Sequence, residues 1–101
     1  MKGHTAKKPT MDELAASRER MNRASVDFLK IDLETALTFA EIARTSTDPF
    51  RKKRNLQAAR KAYNAIVHLA QKVDLRSSDS AFLEKRLAQL KRELTVLGET
   101  F

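Results

Sequence analysis

The sequence predicts an all-α fold: an antiparallel three-helix bundle with an N-terminal helical arm and a short disordered basic tail. Three observations predict it. Apolar residues recur at steps of three and four over most of the chain. Only 2 Gly and 2 Pro occur in 101 residues, too few for a turn-rich β fold. Two short polar segments, at 45–49 and 76–80, cut the periodic stretches into helices joined by short loops, which makes neighbours antiparallel. The length allows one domain, and 42% apolar residues supply a small core.

Residues 1–9 carry Lys2, Lys7 and Lys8 with a Gly and a Pro and read as a disordered tail. Thr10 and Glu13 fit a capping box, so a helix is expected to begin there. Residues 10–24 read as a helical arm with few apolar positions, chiefly Leu14 and Met21. Leu14, Met21 and Phe28 lie seven apart, which extends the arm into the next helix along one stripe.

Residues 25–98 read as the bundle, with 99–101 a second tail. The first bundle helix covers 26–45, its inner face formed by Val26, Leu29, Leu33, Ala36, Leu37, Ala40 and Ala43. Phe28, Ile31, Phe39 and Ile42 fall on its flank and back, so its apolar arc exceeds half the circumference. Such a helix calls for neighbours on more than one side. Those neighbours are two partner helices, or else the arm or another chain.

Asp48 suits an N-cap and Pro49 the first turn of a second helix, expected over about 49–73. Its inner face is Leu56, Ala59, Tyr63, Ile66, Val67, Ala70 and Val73. Ser78 or Asp79 is expected to cap a third helix running to about Leu97. Its stripe is Leu83, Leu87, Leu90, Leu94 and Leu97, and Gly98 stands where a glycine of positive φ closes a helix. Asp27 with Lys30, and Glu41 with Arg44, have i,i+3 spacing suited to ion pairs.

The net charge of +7 is unevenly spread. Residues 1–24 carry +3, 25–48 carry −3, 49–73 carry +7 without a single acid, and 74–101 are neutral. Arg51, Lys52, Lys53 and Arg54 crowd the positive end of a helix dipole, where cations are disfavoured by about 0.3–1 kcal/mol each. Lys61, His68 and Lys72 continue a polar strip about 27 Å long from Arg54. This strip is either an ordinary solvated face or a surface for phosphates or an acidic partner. Arg51, Lys52, Lys53, Arg54, Lys61, His68 and Lys72 are therefore the candidate partner- or anion-binding residues.

Catalytic and metal chemistry have no visible carrier. There is no cysteine, hence no disulfide, thiolate zinc or redox site. Neither His4 nor His68 has a second ligand at metal spacing. Zinc-protease, serine-hydrolase, Walker and dinucleotide-binding motifs are absent. No catalytic residue, metal or cofactor is expected. No apolar run reaches the ~20 residues of a membrane span, and no apolar segment follows the basic start as a secretory signal requires. The reading is a cytoplasmic chain.

Ala59-Arg60-Lys61-Ala62-Tyr63-Asn64-Ala65-Ile66-Val67-His68-Leu69 resembles the second helix of a tetratricopeptide-type hairpin, with Leu33–Ala43 in the place of the first. The layout of 25–98 is similar to microtubule-interacting-and-trafficking domains, three-helix relatives of that hairpin. The resemblance implies helix-groove recognition of a protein and transfers no functional residue.

The expected function is a small non-enzymatic protein-interaction module, acting as adaptor, subunit or homodimer. It would use an apolar groove and a basic second helix to meet an acidic protein partner or a second copy. The alternative is non-specific binding of nucleic acid or another polyanion along the basic helix.

Overall fold

The structure is a computed structural model that describes residues 8–101. Three helices account for nearly all of it: α1 (Met11–Thr45), α2 (Pro49–Ala70) and α3 (Ser77–Val96). Among the described residues there is no strand. The tail expected over 1–9 falls almost wholly outside these residues.

The anticipated capping box starts α1: Glu13 N–H donates to Thr10 Oγ1 at 3.1 Å and Thr10 N–H to Glu13 Oε1 at 3.2 Å. With no Gly or Pro to stop it, the helix continues unbroken for 35 residues. The segment read as an arm is thus the first half of one rod about 52 Å long. Ser46–Asp48 separate α1 from α2, and Asp48 Oδ1 caps α2 by accepting from Phe50 N–H at 3.0 Å.

Two boundaries differ from expectation. The second helix ends at Ala70, three residues early, and Gln71–Val73 form a turn. The third begins at Ser77 behind an N-cap at Arg76, whose side chain makes no capping bond. Neither Ser78 nor Asp79 is the cap. Asp79 lies inside the first turn because its carboxylate is drawn across to α1. At the far end Gly98 adopts φ 103°, with Gly98 N–H donating to Thr95 O and Glu99 N–H to Leu94 O, both at 3.0 Å. These paired bonds close the helix on its last orphan carbonyls.

The seven inner residues named for the first bundle helix are the seven buried residues of α1. Five of them, Leu29, Leu33, Ala36, Leu37 and Ala40, form one core cluster with Ala59 and Ile66 of α2 and Leu83, Leu90 and Leu94 of α3. Leu56, Tyr63, Leu87 and Val73 close the edges. Fully buried Ala36, Ala40 and Ala59 let the α1 and α2 backbones approach closely. Burying a leucine of this core removes it from water at roughly 1.5–3 kcal/mol.

Polar bonds fix the relative positions of the helices. Asn22 of α1 grips Asp74 in the α2–α3 connection by two bonds of 2.8 Å, one in each direction. Glu19 reaches Arg76 at 3.5 Å. Asp79, at the start of α3, meets Arg23 and Lys30 of α1. Farther along, Arg86 makes a forked pair with Glu34. Lys30 therefore serves Asp79, and Asp27 pairs with Arg23 at 3.9 Å instead of with Lys30. The Glu41–Arg44 pair forms as anticipated, at 3.8 Å.

Candidate interaction surfaces

Two surfaces are left over once the core is formed. The first is the outer side of α2. Arg51, Lys52, Lys53, Arg54, Lys61, His68 and Lys72 are all exposed. None of them forms an ion pair among the described residues. Phe50 stands 80% exposed beside the four-cation turn. Positions 51–54 wind round the helix start, while Arg54, Lys61 and His68 run along it on one side; Lys72, expected on the helix, lies in the turn beyond its end at Ala70. The strip is thus continuous, cationic and without internal compensation.

Arg60 is the one cation of α2 with a different fate. Its guanidinium stacks on the Phe101 ring at 3.8 Å, and Nε lies 3.9 Å from Glu99. Phe101 also meets the edge of Tyr63 at 4.9 Å and lies under Lys91 at 5.3 Å. The turn at Gly98 makes this possible by folding residues 99–101 back onto α2. Beside the clasp opens a shallow groove of about 470 Å³ lined by Lys53, Leu56, Gln57, Lys61 and Asn64 together with Arg60 and Glu99. Arg60 is an addition to the candidate residues. Only contact with Phe101, remote in sequence, separates it from its exposed neighbours.

The second surface is the outer seam of α1. Starting at Leu14, steps of three and four pass through Ser17, Met21, Ala24, Phe28, Ile31, Thr35, Thr38, Ile42 and Thr45. No charged residue occurs in this series. It faces away from the buried stripe, and Met21 (69%), Phe28 (54%) and Ile31 (64%) are open to solvent. The threonines are less polar than their formulas suggest. Thr35, Thr38 and Thr45 each donate their hydroxyl to the carbonyl four residues back, at 2.9–3.0 Å, leaving methyl groups outermost. Phe82 of α3 borders the seam across a groove of about 380 Å³ shared with Ile31, Thr35 and Thr38. At the other end Ile42 and Thr45 share a depression with Arg51.

Part of this seam was visible in sequence as the Leu14–Met21–Phe28 spacing and the over-wide apolar arc. Its continuity was not, because the threonines read as polar.

Asp79 is the buried charge of the molecule's described part, 5% exposed. The hydrogen bond from Lys30 at 2.6 Å holds its carboxyl below the usual aspartate range. Desolvation opposes this, and Arg23 at 3.0 Å adds to the lowering. Both cations come from α1, so the cluster acts as a structural clamp between helices.

Among the described residues no helix is long and apolar enough to cross a membrane, and no group of three or more His, Asp or Glu is placed to hold a metal. Comparison with protein-family models, curated proteins and solved structures finds no match.

Proposed function

We propose that this chain is a non-enzymatic helical interaction module. A helix of another polypeptide packs on the outer seam of α1, and the cations of α2 draw in acidic surface. The observation that carries the reading is the charge-free seam with Met21, Phe28 and Ile31 exposed along it. Helices that end at solvent present charges on that side; this one presents apolar groups over eight turns. Recognition would follow the helix-in-groove mode, with anchors at steps of three and four. That is also the mode implied by a tetratricopeptide-like hairpin.

The test is affinity capture from the native host under nuclease treatment, comparing the natural chain with Phe28→Glu/Ile31→Glu. Capture that survives nuclease and is lost in the seam variant supports the module. Capture unchanged by the seam variant overturns it.

A second reading rests on a separate observation: six exposed residues of α2, with Lys72 in the turn after it, form no ion pair among the described residues. A polyanion such as duplex nucleic acid would lie along Arg54–Lys72, its affinity falling steeply with salt. Absence of any mobility shift on duplex DNA or RNA at low salt removes this reading.

A further inference from the structure

We infer that the outer seam of α1 is covered by the same seam of a second copy, packed antiparallel about a two-fold axis near residue 26. The inference rests on the docking role proposed above and names the occupant. Three observations select it.

The first is packing. With the axis there, Met21 faces Ile31 of the second copy and Ala24 faces its Phe28. Each large side chain thus meets a smaller or unbranched one, as knobs and holes of a coiled coil require. The threonine methyls extend the contact at both ends.

The second is charge. The residues flanking the seam are basic at Arg18 and Arg20, then acidic at Asp32 and Glu34. Reversing one copy brings Arg18 beside Asp32, twice over in a two-fold dimer, and Arg20 near Glu34, whose carboxylate also holds Arg86. A parallel pair in register matches Glu13 with Arg18 but sets Asp27 against Asp32 and leaves Arg20 beside Ser25. Arg18, Arg20 and Asp32 have no ion-pair partner among the described residues of the single chain.

The third is that the like charges this register creates are already neutralised. Asp27 meets its own copy at the axis, but Arg23 lies 3.9 Å from it. Glu41 approaches Glu13 of the second copy, and Arg44 lies 3.8 Å from Glu41.

The test uses the full chain, which has no native cysteine. Sedimentation velocity from about 1 to 500 µM is expected to give a species of twice 11.5 kDa. Ile31→Asp, at an exposed position, is expected to remain helical by circular dichroism and to be monomeric. Arg18→Asp is expected to weaken the dimer about tenfold, and Arg18→Asp/Asp32→Arg to restore it. A spin label at Thr38→Cys is expected to report two labels about 36 Å apart along the axis, from 24 residues of offset.

A monomer throughout the concentration range overturns the inference. The wider docking role then stands or falls on the capture experiment with the seam variant. A dimer with adjacent Thr38→Cys labels, or one indifferent to Ile31→Asp, overturns it equally.

Discussion

Asp79 Oδ1 accepts a 2.6 Å hydrogen bond from Lys30 Nζ, joining the first turn of α3 to the middle of α1. Arg23 holds the other carboxylate oxygen at 3.0 Å. An aspartate at a helix start interacts favourably with the dipole, and here the same group also ties two helices together. Its lowered pKa makes the clamp pH-dependent. The folded chain binds the proton less readily than the unfolded chain, so the stabilisation is complete above the unfolded pKa near 4. It is lost as pH falls through the lower folded value. In Asp79→Asn, the midpoint of thermal unfolding is expected to drop at pH 7. The difference from the natural chain should shrink as pH is taken from 5 towards 2. Equal differences at both ends of that range would show that the clamp's charge contributes nothing.

Asn22 satisfies both backbone groups of Asp74 and, with the Glu19–Arg76 pair, ties the α2–α3 connection to α1. Asn22→Ala is expected to reduce stability by about 1–2 kcal/mol in urea unfolding, the range for losing hydrogen bonds at a partly exposed site. Amide exchange at 71–76 should accelerate more than exchange at 33–43, since the loss is local.

Ala59 sits fully buried against α1, where Ala36 and Ala40 are also fully enclosed. Ala59→Leu forces three extra carbons between two closely apposed backbones. The expected destabilisation is about 1–3 kcal/mol, read from chemical denaturation. Ala88→Leu, on the exposed side of α3, is the control and should stay within about 0.5 kcal/mol.

Gly98 has open space where a Cβ would sit, so its replacement is resisted by backbone conformation alone. Gly98→Ala is expected to lose about 1–2 kcal/mol at φ 103°. Because the turn delivers Phe101 to Arg60, the same substitution should raise the solvent exposure of Tyr63, visible as a shift in its fluorescence. Phe101→Ala should reproduce the Tyr63 change without the backbone strain.

Replacing Arg51, Lys52, Lys53 and Arg54 by Gln removes four cations from the unfavourable end of a helix dipole. Stability is expected to rise by about 1 kcal/mol or more at low salt, with the gain fading as salt is added. If the strip binds polyanions, the same variant weakens that binding uniformly across sequences and flattens its salt dependence. A rise in stability accompanied by unchanged binding would leave the dipole penalty standing and remove the polyanion role.

Much of this molecule could be read locally. The capping box at Thr10, the Asp48–Pro49 start, the Gly98 stop and the buried stripe of α1 depend on residues within one or two turns of each other. Spacing along the chain therefore determines them. Boundaries governed by distant partners could not be read this way. Asp79 looked like a cap because aspartate at a helix start usually is one; Arg23 and Lys30, about fifty residues earlier, pull it elsewhere. Local spacing puts Lys30 within reach of Asp27, but Asp79, far along the chain, takes Lys30 instead.

By itself the sequence determined three helices, their apolar faces and a second helix without acids, because periodicity and capping act through the nearest turns. Tertiary structure decided that neither α2 nor α3 covers the back of α1, so Met21, Phe28 and Ile31 stay open. It also decided that Arg60 leaves the cationic strip for Phe101. Those outcomes depend on how each rod is rotated about its axis and where it sits along its neighbour. Rotation and register are set by the fit of all three surfaces together, so no single stretch of chain encodes them.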